Sequence, residues 1–271
     1  MKSRLLVAAV GIPLLLVILF ACPPIVAAVA VSLLSAIGAR EFTKTTGINT
    51  QDGMVLVTMA AAFLLPIWSY FGSPILIGAC GVVVLGLVLF AQALLAYPEV
   101  KFEGVAGCLF ATLAIPMCLS SIVRILVGEY GRHYVLVPIM IPFIADAGAY
   151  FAGKFLGKHK MAPVLSPHKT VEGAIGGLAA GVLSMVIYGL VMQLGLHLTF
   201  HYGYAVVYGL LGSIVSIIGD LSFSMVKRET GIKDYGTIFR AHGGVLDRFD
   251  SVIFAAPVVE LLILLLPLLG K

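Results

Sequence analysis

Residues 173–195 read GAIGGLAAGVLSMVIYGLVMQLG, 23 positions without a charged side chain. A helix that crosses a bilayer needs about 20 mostly apolar residues. The apolar residues follow one another here without the alternation expected of a barrel strand. The same texture recurs on both sides, at 5–22, 24–39, 54–72, 74–96, 105–127, 134–153, 202–226 and 252–270. Over all 271 residues the chain is 61% hydrophobic and 11% charged, whereas soluble domains carry about 25% charged residues. A water-soluble fold of this length cannot hide so much apolar surface. These runs predict an all-α, polytopic integral membrane protein of about nine transmembrane helices.

The first run follows Lys2 and Arg4 and ends at Ala21, Cys22, Pro23 and Pro24. No small-x-small cleavage site follows it, so it reads as a retained first span rather than a signal peptide. The four cysteines, Cys22, Cys80, Cys108 and Cys118, lie in or beside apolar runs and form no CxxC pair. They read as small buried hydrophobes. With the N-terminus placed in the cytoplasm, threading nine spans puts 14 of the 17 basic residues on the cytoplasmic side. Only Arg124, Arg132 and Lys271 fall outside. That bias is the positive-inside pattern, and it places the polar site at the cytoplasmic face.

Two cytoplasmic segments, 153–172 and 227–251, hold nine of the 17 basic and five of the 13 acidic residues. Ionisable groups inside membrane helices are costly and mark function by default. Asp146 and Asp220 fall near the cytoplasmic ends of their runs, at the depth of those segments. Asp220, Ser224 and Lys227 recur at i, i+4 and i+7, on one helix face. With Arg228 nearby they suit a metal-bound phosphate. Downstream, Gly243 and Gly244 would let backbone amides approach a phosphate. Asp247 and Asp250 share a face if a helix begins there, and carboxylates with few nitrogen or sulfur donors suit Mg²⁺. Lys233 and Arg248 could neutralise further phosphate charge. His133, His197 and His201 fall on the outer side, and His159 and His168 add polarity to a basic loop. Glu260 and Arg124 lie inside spans and receive no functional role.

The run Ser224, Lys227, Arg228, Gly231, Lys233, Asp234, Gly236, then His242, Gly243, Gly244, Asp247, Arg248 and Asp250, resembles the signature of the phosphatidate cytidylyltransferases. A second stretch resembles the same family: Asp146, Gly148, Tyr150, Gly153, Lys154, Gly157, Lys158, Ser166, Pro167, Lys169, Thr170, Glu172 and Gly173. The resemblance covers about the last 130 residues. The chain departs from it at Arg240, where many members have Pro, and at Val171, where many have Trp. The resemblance implies that CTP and phosphatidic acid are joined to give CDP-diacylglycerol and pyrophosphate. It implies Mg²⁺ held by Asp220 and Asp247, and phosphate contacts from Lys227, Arg228, Lys233 and Arg248. Asp146, Ser166 and Lys169 would close the site from the other loop. Ser224, Asp234, His242, Gly243, Gly244 and Asp250 are the remaining expected substrate contacts.

The expected organisation is an N-terminal multi-span region, 1–130, and a C-terminal catalytic membrane region, 131–271, in one continuous bundle. The expected partners are CTP, phosphatidic acid, the lipid bilayer and a second copy as a homodimer, with no nucleic acid. Two other classes compete. A transporter of a small anionic solute would gather its polar groups near the membrane midplane, often in repeated halves; here they gather at one face of the C-terminal half. A CTP-dependent lipid kinase would release CDP instead of pyrophosphate.

Overall fold

The computed structural model of the chain describes residues 11–46, 50–72, 75–238 and 243–270. Its helices are α1 (Pro24–Thr45), α2 (Asp52–Tyr70), α3 (Ile75–Leu95), α4 (Phe102–Val127), α5 (Val137–Leu156), α6 (Val171–Leu196), α7 (Tyr202–Glu229) and α8 (Leu246–Leu265). Helices satisfy every backbone polar group within the segment, which a lipid environment demands. Seven of the described helices are long and apolar enough to cross a membrane, the fifth running over Gly131–Leu156. The chain is therefore an all-α, multi-pass membrane protein.

The seven do not reach the expected nine. The first expected run corresponds to a shorter apolar helix, Gly11–Ala21, and its residues 5–10 lie outside the described ones. The ninth corresponds to α8, which starts at Leu246, six residues before the expected 252. That start takes Asp247, Arg248 and Asp250 into the helix. Likewise α1 runs to Thr45, six residues past the expected 39. The apolar run ends at Ala39, but the helix does not, because Arg40, Glu41 and Lys44 are good helix formers. The expected loop 153–172 contains a hairpin, β1 (Lys160–Ala162) with β2 (Ser166–Thr170), paired antiparallel.

The chain forms two compact units. One comprises Met1–Val127 with Lys227–Phe249, the other Gly128–Val226 with Asp250–Lys271. In the first, α1, α2 and α4 pack against one another, and α3 lies against α2 and α4. Met54, Leu89, Val105 and Cys108 form part of its core. Lys44 pairs with Asp52 across the α1–α2 connection.

In the second unit, α5 and α6 are in close contact. A Cβ added at Gly173 would lie 2.9 Å from the Ala149 carbonyl oxygen, and one at Gly177 2.9 Å from that of Ala145. A Cβ at Gly148 would lie 3.0 Å from the Gly176 carbonyl oxygen. Small residues four apart let two membrane helices meet backbone to backbone. Thr170 caps α6, its Oγ1 accepting from the Gly173 amide at 3.1 Å. The closeness of α5 to α6 is what brings Asp146 of α5 beside the hairpin that enters α6.

Candidate active site

Described residues of the segment 227–249 and the end of α1 form the first polar cluster. Asp247 sits in the first turn of α8, where a carboxylate is favoured by the helix dipole. Its Oδ2 accepts from the Tyr235 amide at 2.8 Å and the Gly244 amide at 2.9 Å. Its Oδ1 accepts from Lys227 Nζ at 2.9 Å. The pair is well buried, with side-chain exposure of 13% for Lys227 and 5% for Asp247. Lys227 Nζ also lies 5.4 Å from the centre of the Tyr235 ring, and Tyr235 is fully buried. Gly243 has φ +74°, a left-handed conformation that favours glycine. A Cβ there would come within 2.6 Å of Asp247 Oδ2. The glycine pair is thus packed against carboxylates.

The second cluster lies wholly in the other unit. A cavity of about 540 Å³ is lined by Asp146, Lys154, Lys160, His168, Lys169 and Asp220, with apolar and small residues between them. Lys169 of β2 forms an ion pair with Asp220 of α7. Asp146 faces the same cavity and accepts a long, 3.5 Å bond from Ser251 Oγ. Glu172 fixes the hairpin's entry, accepting from the Lys158 amide at 3.0 Å and the His159 amide at 3.2 Å, and contacting His159 Nδ1 at 2.6 Å. Cations here share the cavity with two carboxylates, Asp146 midway along α5 and Asp220 nine residues before the end of α7. Such a cavity suits a polyanion that arrives with a divalent metal.

Among the described residues, no group of three or more His, Cys, Asp or Glu side chains gathers to hold a metal ion. Mg²⁺ does not require one, being commonly held by one or two carboxylates together with substrate phosphates. Asp146 and Asp220 in one cavity fit that donor set.

Residues 2–266 match the Cytidylyltransferase family. The chain belongs to the cytidylyltransferase family. A phosphatidate cytidylyltransferase of Bacillus subtilis (strain 168) is 35% identical to it over 221 residues, 79% of this chain and 78% of that protein. Phosphatidate cytidylyltransferases of Staphylococcus aureus (strain COL) and Staphylococcus saprophyticus are each 36% identical over 163 residues, 57% of this chain and 61% of each relative.

In this cytidylyltransferase-family chain the expected site residues divide between the two clusters. Lys227, Gly243, Gly244 and Asp247 meet in the first, while Asp146, Lys169 and Asp220 meet in the second. Ser166 is half-buried at the start of β2, and Ser224 is half-buried on α7. Arg228, Lys233, Asp234 and Arg248 are exposed. Asp250 is buried, and its Oδ1 accepts from the Ser251 amide at 2.7 Å. His242 lies outside the described residues. Sequence reasoning missed Glu41, Tyr235 and Glu172 as organisers of these clusters. Glu172 follows Thr170 by two positions, a helix-start signal. Glu41 was hidden because α1 was expected to end before it.

Proposed function

We infer that the chain is a phosphatidate cytidylyltransferase of phospholipid biosynthesis, condensing CTP with phosphatidate. A phosphate oxygen of the lipid attacks the α-phosphorus of CTP, a P–O bond forms there, and the bond to the β-phosphate breaks. The products are CDP-diacylglycerol and pyrophosphate. The lipid phosphate is already an anionic nucleophile, so no strong base is needed. The obstacle is the approach of two anions. The observation that carries this reading is the cavity in which Lys154, Lys160 and Lys169 face Asp146 and Asp220, in a chain of this family.

The residues divide the work by charge. Lys154, Lys160 and Lys169 attract phosphates to the cavity, and Asp220 holds Lys169 in place until a substrate anion competes for it. Ser166 can donate a hydrogen bond, and Asp146 is held by Ser251. Lys227, Arg228, Lys233 and Arg248 contact phosphates from the segment around α8, and Ser224, Asp234, His242, Gly243, Gly244 and Asp250 complete the substrate contacts. Mg²⁺ would supply neutralisation of triphosphate charge and stabilise the leaving pyrophosphate. Asp220, in the cavity that Asp146 also lines, and Asp247, at the start of α8, are each proposed as a metal ligand within its own cluster. A carboxylate offers about four acceptor sites, and the described contacts of Asp247 occupy three of them.

The labelling test separates this reaction from that of a CTP-dependent lipid kinase. With purified protein, Mg²⁺ and phosphatidate, label from the α-phosphate of CTP is expected in the lipid, and γ-label in pyrophosphate. Label from the γ position in the lipid would overturn the assignment. The proposed orientation puts the N-terminus and the polar clusters in the cytoplasm, on the strength of the basic-residue bias. A reporter fused after Lys158 is then expected to read as cytoplasmic, and one fused after His197 as extracytoplasmic. The opposite pair of results would invert the topology.

A further inference from the structure

Glu41 is a glutamate on a membrane-crossing helix, 4% exposed, and nothing in the proposed reaction uses it. Its carboxylate accepts one hydrogen bond at each oxygen. The Val245 amide donates to Oε1 at 3.0 Å, and the Leu246 amide to Oε2 at 3.0 Å. Those are the amides at the start of α8, which has no intrahelical acceptor for them. A residue some 200 positions away therefore caps this helix. The next residue, Phe42, stacks on Tyr235 with centroids 6.1 Å apart. Tyr235 and Gly244 are in turn the amide donors to Asp247. A Cβ added at either Gly236 or Gly244 would run into the Glu41 carboxylate. Glu41 is thus enclosed by the segment that carries Lys227 and Asp247, all within one unit.

We propose that Glu41 is a positioning residue for the Lys227–Asp247 pair, holding the start of α8 so that both side chains stand where the reaction needs them. The role rests on the cytidylyltransferase reading, because the pair has a catalytic task only there. It also demands a carboxylate rather than a side chain of that size. In Glu41→Gln one oxygen becomes an NH₂ group facing an N–H, so one bond is lost and two donors oppose each other. In Glu41→Asp the chain is one methylene shorter and cannot reach both amides.

The test uses the full-length protein in detergent or lipid, with Glu41→Gln and Glu41→Ala beside the parent. Hydrogen exchange is read at the amides of Val245, Leu246, Gly244 and Tyr235, and turnover is read with CTP and phosphatidate. Both variants are expected to exchange faster at those amides, with the α5–α6 region unchanged. Their kcat is expected to fall by roughly a hundredfold, the loss that a displacement of about 1 Å can cause, with KM for both substrates little changed. Parent-like exchange and turnover in Glu41→Gln would overturn the proposal, since size alone would then suffice. Faster exchange with parent-like kcat would overturn it too, because the cap would not position the pair. A parent that makes no CDP-diacylglycerol would sink the reaction assignment, while the exchange results would still decide whether Glu41 orders the segment.

Discussion

Replacing Lys227 with alanine is expected to lower kcat by at least roughly a hundredfold, the usual loss of one well-placed charge-stabilising contact. The Lys227 side chain is 13% exposed, and Asp247 takes its ammonium directly at 2.9 Å. A pyrophosphate leaving group gathers negative charge as the bond to the α-phosphorus breaks. A cation that holds it contributes more to the transition state than to the ground state, so its loss appears in kcat. Asp247→Ala is expected to abolish turnover altogether. It removes a proposed metal ligand and leaves Lys227 buried without its carboxylate. The amides of Tyr235 and Gly244 also lose their acceptor. Truncating one partner of a buried pair costs about 3–5 kcal/mol, so the variant is also expected to melt lower than the parent. The comparison needs variants that insert and purify at parental yield. A folded Lys227→Ala or Asp247→Ala with turnover within a few-fold of the parent would remove that residue from the machinery.

The second large effect concerns Asp220. Asp220→Ala is expected to abolish turnover while the protein still inserts, and EDTA is expected to do the same to the parent. The motive is the cavity, where Asp220 pairs with Lys169 and which Asp146 also lines. If Asp220 serves Mg²⁺, its loss weakens metal binding whatever the substrate. Mn²⁺ binding followed by electron paramagnetic resonance in the presence of CTP is therefore expected to weaken at least about tenfold, the scale seen when a metal site loses a supporting group. Undiminished Mn²⁺ binding with lost activity would reassign Asp220 to holding Lys169. Lys169→Ala separates the two roles from the other side. It is expected to raise KM for the anionic substrates while leaving the EDTA sensitivity intact.

Much of the candidate site could be read from the chain alone. Asp146 and Asp220 stood out because ionisable groups within apolar runs are costly, and Asp247 because it follows a glycine pair and precedes Asp250 by three positions. Asp220, Ser224 and Lys227 all lie on α7, but Asp220 pairs with Lys169 and Lys227 with Asp247. Positions of helix ends were less legible. Apolar content marks where lipid begins, whereas a helix continues until its capping requirement is met. Helix-forming Arg40, Glu41 and Lys44 carry α1 on to Thr45, and the Glu41 cap at Val245 and Leu246 lets α8 start early enough to take in Asp247.

The sequence by itself determined that this is a multi-pass helical membrane protein, because no other structure satisfies the backbone of such long apolar runs in lipid. It also determined the family, through the ordered set of charged residues and glycines over 224–250. The tertiary structure decided which charges meet. Lys227 pairs with Asp247 rather than with Asp220 seven residues before it on the same helix, and Asp220 takes Lys169 instead. The start of α8 is capped by Glu41, from the far end of the chain. Periodicity is a local property and reports only faces of single helices. An ion pair or a cap across 200 residues depends on how closely helices approach, and that is set by packing.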